Sequence, residues 1–131
     1  MRPISNGLVC ILTVSLLSGL LGTRTAQAQS GDDCQSPQTQ MMMNICANRE
    51  YAQADAALND AWGPARKFAD AIGKGTLLLE AQRAWLAYRN AACLAQASPY
   101  EGGSIQPMIY SNCLSRLTAQ RTEMLKDFHA F

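Results

Sequence analysis

Apolar residues recur every three or four positions along three stretches of the chain, which is the spacing of one face of an α-helix. The first stretch follows Thr39, a good helix N-cap, and runs to Ile72. Its apolar positions are Met43, Ala47, Tyr51, Ala54, Leu58, Trp62, Ala65, Phe68 and Ile72. Gly63 and Pro64 interrupt this stretch. Because proline lacks the N–H that would bond to the Asp60 carbonyl, we expect a kink or a short break there.

Two further stretches predict a second and a third helix. The second runs from about Thr76 to Ala97, after the glycine turn at residues 73–75. Its apolar positions are Leu78, Ala81, Trp85, Tyr88, Ala92 and Ala95. The third begins after a Ser104 cap and ends near Phe128. Its apolar positions are Tyr110, Leu114, Leu117, Met124 and Phe128. Since the connections are short and no segment alternates with period two, the pattern predicts an all-α antiparallel three-helix bundle.

Residues 1–28 have the pattern of a secretory signal peptide. Arg2 supplies a basic start, residues 8–21 form a short apolar run, and Ala26-Gln27-Ala28 matches a cleavage site. We therefore expect a mature domain over residues 29–131, located in the periplasm or secreted. The apolar run is too short for a membrane span, so we expect no membrane-spanning segment after cleavage.

The cysteines predict disulfide bonds. The chain has five cysteines, and Cys10 lies in the predicted signal peptide. The remaining even number in an exported chain implies two disulfides, for which three pairings exist. We favour Cys34–Cys46, which would fold the N-terminal tail onto the first helix, together with Cys93–Cys113, which would bridge the second and third helices. A pairing of Cys46 with Cys93 stays open as the alternative.

The formal net charge of the chain is +1, which is too small for an electrostatic nucleic-acid binder. The charge is unevenly distributed, however. Residues 29–60 carry five acidic side chains against one basic, and residues 61–131 carry eight basic against five acidic. An acidic N-terminal half would steer association with a basic protein, although an ordinary solvated helix face has the same pattern.

The sequence lacks the residue combinations that catalysis or metal binding requires. His129 is the only histidine, and there is no Cys-x₂-Cys pair or phosphate-binding glycine loop. Met41, Met42 and Met43 are soft ligands of the kind that bind copper(I), but consecutive helical positions point about 100° apart and cannot all face one ion. We therefore expect no enzyme activity, no catalytic residue, no metal and no cofactor.

The segment from Ala81 to Cys93, which reads AQRAWLAYRNAAC, resembles the signature of the lysozyme inhibitor LprI-like family. Further matches to the family pattern follow the same order along the chain, from Cys34 to about Leu125. They are Met43-Asn44-Ile45-Cys46-Ala47, Tyr51, Ala54-Asp55, Leu58-Asn59, Gly102-Gly103-Ser104, Cys113 and Leu117-Thr118-Ala119-Gln120-Arg121. The resemblance implies a small exported helical protein with disulfides and suggests a lysozyme as the protein partner. No catalytic residue carries over from it.

Our first hypothesis is an exported inhibitor that binds lysozyme and blocks its cleft sterically. The candidate contact is either an acidic face of the first helix or the loop of residues 100–103 after the second helix; the candidate residues are Glu50, Asp55 and Asp60 for the face and Tyr100 and Glu101 for the loop. Arg89 is a further candidate, which would pair with a first-helix carboxylate or meet a partner. Trp85 and Tyr88 lie on the apolar stripe, so we expect them in the core. The alternative is an envelope structural or adaptor protein with a different protein partner.

Overall fold

A computed structural model of the protein describes residues 34–128. Three α-helices follow one another along the chain: α1 (Gln40–Ala71), α2 (Gly75–Ala97) and α3 (Gln106–Asp127). A 3₁₀ turn, Ser98–Tyr100, follows α2, and residues 34–128 contain no strand. The prediction of an all-α three-helix protein is therefore confirmed. The predicted signal peptide and His129 lie outside the described residues.

Helix α1 begins at the cap that the sequence predicts. The Thr39 hydroxyl accepts a hydrogen bond from the Met42 backbone N–H at 3.2 Å, which satisfies one of the free donors of the first turn. The helix then continues through Pro64 without interruption, so no break occurs there. Gly63 and Pro64 both lie on the exposed side of α1, where water can bond to the carbonyl that proline leaves unpaired. The bend at this point stays a prediction.

Glycines form the turn between α1 and α2, as the sequence predicts. Gly73 has a backbone φ of 69°, a left-handed conformation that costs glycine little and other residues more. The Lys74 N–H then closes the turn by donating to the Ala69 carbonyl at 2.7 Å. Gly75 is buried against the Asp70 side chain, so that a Cβ at this position would overlap the carboxylate. Gly73 is therefore required by its backbone conformation, whereas a Cβ at position 75 would require the exposed Asp70 side chain to move.

The predicted Ser104 cap of α3 is wrong. The N-cap is Ile105, and no side chain hydrogen-bonds to this helix end. A further turn precedes the helix, because the Gln106 N–H donates to the Gly103 carbonyl at 3.2 Å. Ser104 lies within that turn, and its carbonyl accepts from the Asn44 side chain of α1 at 3.0 Å. Ser104 thus links α3 to α1 instead of capping α3.

The three helices form a bundle in which α2 runs opposite to α1 and α3. At one end Gln40 of α1 meets Met108 of α3, with Nε2 and Sδ 3.8 Å apart. At the other end the rings of Phe68 and Phe128 pack edge to face, with centroids 5.9 Å apart. Helix α1 packs most extensively against α3 and least against α2. An open groove therefore runs between α1 and α2.

The core consists of two clusters. The larger cluster is rich in alanine, which lets α1 approach its neighbours closely; its buried members are Leu58, Ala61, Ala65, Ala69, Leu78 and Leu125, with Trp62 and Trp85 packed against it. The smaller cluster surrounds the Cys93–Cys113 disulfide, together with Leu114. Apolar burial is the main stabilising contribution in both.

Both favoured disulfides are confirmed. Cys34 pairs with Cys46, and Cys93 pairs with Cys113. In each pair the Cα atoms are 5.4 Å apart, within the normal range for a disulfide. The first bond ties the residues before α1 to the second turn of that helix, and the second joins α2 to α3. The alternative Cys46–Cys93 pairing is thereby excluded.

The buried face of α2 differs from the predicted stripe. Tyr88 is 62% exposed, and Ala81 and Ala95 are exposed as well, so the prediction that Tyr88 is a core residue is wrong. Arg89 and Gln82 are buried instead. Helix α2 is rotated about its axis by about one residue position relative to the apolar stripe. The rotation buries these two polar side chains, which bond to groups on α1 and α3.

Candidate functional site

Arg89 is held at the centre of the bundle by all three helices. Its side chain is buried, with a relative exposure of 6% for the residue. The guanidinium Nη1 donates to the Thr118 hydroxyl of α3 at 3.1 Å and lies 3.7 Å from the Asp55 carboxylate of α1. Arg89 therefore pairs with a first-helix carboxylate, which was one of its two predicted roles, and its charge is engaged inside the protein.

Aromatic rings complete the surroundings of Arg89. Its guanidinium lies 5.1 Å from the Trp85 ring centroid and 5.4 Å from that of Tyr51. Arg121 of α3 lies over the same Trp85 ring at 5.9 Å, so the indole contacts two cations. Such contacts are stronger where water is excluded. Trp85 of the signature segment is thus an anchor between α2 and α3.

Gln82 connects the second arginine to this arrangement. The Arg121 Nε donates to the Gln82 Oε1 at 2.9 Å. Burial lowers the pKa of the Arg121 guanidinium, which nevertheless remains charged because arginine titrates far above neutral pH. We call this set of side chains the inner polar network; it consists of Tyr51, Asp55, Gln82, Trp85, Arg89, Thr118 and Arg121. The network joins all three helices, and therefore fixes their register.

The acidic candidates on α1 do not share one face. Glu50, Asp55 and Asp60 follow one another at intervals of five residues, which separates neighbours by about 140° around a helix. Glu50 and Asp60 are exposed, whereas Asp55 faces Arg89 and accepts a hydrogen bond from Asn59 at 3.3 Å. The three carboxylates therefore contribute to the overall potential and do not form one compact contact patch.

The loop after α2 is exposed and held in one shape. Tyr100 is 44% exposed, and Glu101 and Gly102 are exposed at its tip. The Glu101 N–H donates to the Ser98 carbonyl at 3.1 Å, and the Gly103 N–H donates to the Tyr100 carbonyl at 2.9 Å. These bonds form two consecutive turns, which present the Tyr100 and Glu101 side chains to solvent.

A hydrogen bond and a disulfide restrain this loop. The Gly102 N–H donates to the side-chain oxygen of Gln106 at 3.2 Å, and Gly102 has a φ of 75° that favours glycine. The Cys93–Cys113 disulfide joins the two helices that the loop connects. The loop is therefore attached at both ends to a covalently linked pair of helices, which restrains its backbone.

Two kinds of feature are missing from residues 34–128. The His, Cys, Asp and Glu side chains of this range include no group of three or more placed to hold a metal ion. No helix within it is both long and apolar enough to cross a membrane.

The geometry defines a class of small disulfide-linked helical bundles that are organised around a buried arginine network. The two disulfides indicate an exported protein, since such bonds persist in oxidising compartments. The family described as lysozyme inhibitor LprI matches residues 31–125 of this chain. The chain belongs to this family, as its signature segment suggests.

A curated relative from Rhizobium meliloti (strain 1021) is 38% identical to this chain over 118 residues. The alignment covers 80% of this chain and 85% of the relative, which is an uncharacterised protein. No solved structure matches the chain significantly. The family membership therefore rests on sequence over nearly the whole domain.

Sequence reasoning missed much of the inner polar network. The family pattern includes Thr118 without giving it a role, and the apolar stripe of α2 does not include Gln82. One signal was present, because Gln82 and Arg89 are seven residues apart and Arg121 interrupts the apolar stripe of α3. Polar residues at helical spacing on facing helices indicate a buried network when each finds a partner. The partners become evident only once the helices are packed.

Proposed function

We propose that the protein is exported after cleavage behind Ala28, to the periplasm or outside the cell, where it binds a lysozyme and blocks its cleft sterically. The observation that carries this proposal is the match of residues 31–125 to the lysozyme inhibitor family. Inhibition of this kind requires no catalytic group, only a rigid surface that fills or covers the cleft. The disulfide-linked bundle supplies that rigidity.

We assign the contact to the loop of residues 100–103. Its shape is set by hydrogen bonds before binding, which reduces the entropy lost in the complex. Tyr100 offers a half-exposed aromatic ring, the type of side chain that dominates binding energy at interfaces. Glu101 adds a carboxylate at the tip, which suits a basic partner.

The acidic residues of α1 have a different role in this proposal. Glu50 and Asp60 are exposed but lie about 15 Å apart along the helix axis, so they act by attracting a basic enzyme over a distance. Such steering raises the association rate and weakens with added salt, whereas contacts of the loop determine the dissociation rate. The two contributions can therefore be separated by kinetics.

A calorimetric titration of lysozyme with the purified protein tests the proposal. We expect saturable binding that Tyr100→Ala weakens at least about ten-fold and that Glu101→Lys also weakens. The matched control is Glu123→Lys, a charge reversal at an exposed position of α3 that should leave the affinity unchanged. Absence of binding to several lysozyme types would refute the function. Equal weakening by the control would refute the contact surface.

A second candidate is an envelope adaptor with a different protein partner. The observation that favours it is the outer face of α2, which is exposed and uncharged over five turns; its residues are Leu77, Ala81, Ala84, Tyr88, Ala91 and Ala95. An adaptor would show no lysozyme binding and would form a defined complex with one identified envelope protein. Tyr88→Asp should abolish that complex, whereas the inhibitor proposal expects Tyr88→Asp to leave lysozyme binding intact.

A further inference from the structure

The groove between α1 and α2 is a separate feature from the loop. It is open to solvent and has a volume of about 410 Å³, comparable with the volumes of small-molecule sites. Its apolar lining comes from both helices; the side chains are Leu58 and Trp62 of α1 and Leu79 and Leu86 of α2. Trp62 packs on the core on one side and lines the groove on the other. The groove therefore has a firm apolar lining with an aromatic ring in it.

The two helices contribute opposite hydrogen-bonding groups to this groove. On the α1 side, Asn59 donates its Nδ2 to the Asp55 carboxylate at 3.3 Å, which leaves the Asn59 Oδ1 and the outer lone pairs of Asp55 as acceptors. On the α2 side, Gln82 and Arg83 present donors. A ligand must therefore both donate and accept hydrogen bonds to satisfy the two sides.

Gln82 lines the groove with an amide whose orientation is fixed by Arg121. The residue is only 9% exposed, and its Oε1 is engaged by the Arg121 guanidinium at 2.9 Å, which orients the amide. Its Nε2 is left on the groove side and has no hydrogen-bond partner among residues 34–128. Residues 34–128 contain no fully buried side-chain nitrogen or oxygen without a partner, so water reaches this Nε2, and an acceptor on a ligand would replace that water. Arg83, at the exposed rim, also forms no hydrogen bond or ion pair within this range.

We propose that this groove binds one or two pyranose rings of a carbohydrate. The C–H face of a sugar ring packs on an aromatic ring and leucines, and each hydroxyl both donates and accepts hydrogen bonds. One molecule can thus satisfy Asp55 and Asn59 on one side and Gln82 and Arg83 on the other. A purely apolar ligand would leave the Gln82 Nε2 unpaired, and a small anion would face the Asp55 carboxylate. The proposal does not rest on lysozyme binding, because the groove and the loop are different surfaces.

NMR titration of the isotope-labelled protein tests this assignment. The probes are cellobiose, which offers hydroxyl groups only, and diacetylchitobiose, which adds acetamido groups. We expect saturable shifts of the Gln82 side-chain amide and the Trp62 indole N–H with at least one disaccharide. The disaccharide that binds more tightly identifies the kind of sugar that the groove prefers.

Variants at exposed positions keep the test independent of folding. Arg83→Ala and Asn59→Ala should each weaken the sugar affinity by about three- to ten-fold, the effect of one lost hydrogen bond. The control Arg116→Ala removes an exposed arginine of α3 that contacts Gln96, and it should bind sugar as the parent does. Absence of saturable shifts with both disaccharides would overturn the proposal. The proposal would also be overturned if Arg83→Ala and Asn59→Ala both bound the sugar with the affinity of the parent protein.

Discussion

At the scale of single residues, Arg89 is where the three helices meet. Its ion pair with Asp55 contributes little by itself, since the Asp55 side chain is 43% exposed and partly screened by water. Most of the contribution comes from the bond to the Thr118 hydroxyl and the contacts with two aromatic rings, which are shielded from water. Arg89 therefore acts as a buried anchor.

Replacement of this arginine tests the anchor. Arg89→Met keeps much of the side-chain volume but leaves the buried Thr118 hydroxyl without its donor, so we expect a loss of about 2–4 kcal/mol of stability. Urea denaturation measures this loss. Arg116→Met, at an exposed position of α3, is the matched control and should leave the unfolding midpoint in place. Similar losses for both variants would show that the network contributes nothing specific.

The two aromatic residues of the signature segment give a second prediction at this scale. Trp85 packs on the core between two guanidinium groups, so Trp85→Ala should destabilise the protein by about 3 kcal/mol. Tyr88, one helical turn away, is 62% exposed, and Tyr88→Ala should change the thermal midpoint very little. A large loss on replacing Tyr88 would mean that α2 is turned as its apolar stripe alone predicts.

Tyr88 also shows the limit of sequence reasoning. Periodicity assigns residues to a stripe by their hydrophobicity, and Tyr88 and Ala81 fit that stripe better than Gln82 or Arg89 do. Helix α2 is instead rotated about its axis so that Gln82 and Arg89 are buried. This rotation is favoured because Gln82 hydrogen-bonds to Arg121 and Arg89 hydrogen-bonds to Thr118. Those partners lie on another helix, far along the chain, and no local pattern contains them.

At the scale of elements, helix boundaries were predictable where a local signal decides them. The Thr39 cap and the glycine turn after α1 depend on neighbouring residues only. Ser104 failed as a cap because Asn44 of α1 binds its carbonyl within a preceding turn, which is a contact between distant parts of the chain. The start of α3 is thus displaced by one residue from its predicted position.

Two glycines that both have open space around them give an element-scale prediction. Gly63 lies inside α1, so Gly63→Ala should stabilise the protein by about 0.5–1 kcal/mol because alanine favours helix. Gly73 has a φ of 69°, so Gly73→Ala should destabilise it by about 1 kcal/mol. Thermal unfolding of the two variants checks the opposite signs. Equal signs would contradict the assigned backbone conformations.

At the scale of the whole molecule, the disulfides were predictable from the sequence, but the shapes of the loop and of the groove between α1 and α2 were not. Even cysteine number, export and helix spacing favoured the two pairs that the structure contains. The loop of residues 100–103 was a candidate from its composition, whereas its bracing by Gln106 required coordinates. The groove between α1 and α2 arises from unequal helix packing, which no sequence pattern expresses.

The Cys93–Cys113 bond gives the prediction at this scale. It closes a loop with a sequence separation of 20 and is buried at both ends. The double replacement Cys93→Ala and Cys113→Ala should cost about 3 kcal/mol, mainly by freeing the unfolded chain. It should also loosen the loop of residues 100–103 and reduce lysozyme binding below what stability alone explains. Full affinity at a temperature where the variant is folded would show that the loop needs no such support.

The most direct test of the proposed function is a cell-wall lysis assay with increasing amounts of the purified protein over a fixed amount of lysozyme. We predict that lysis slows in proportion to the protein added and stops near equimolar amounts, and that added salt weakens the effect. The Tyr100→Ala variant should need a larger excess. Full lysis at a large molar excess of the parent protein, with several types of lysozyme, would contradict the proposal.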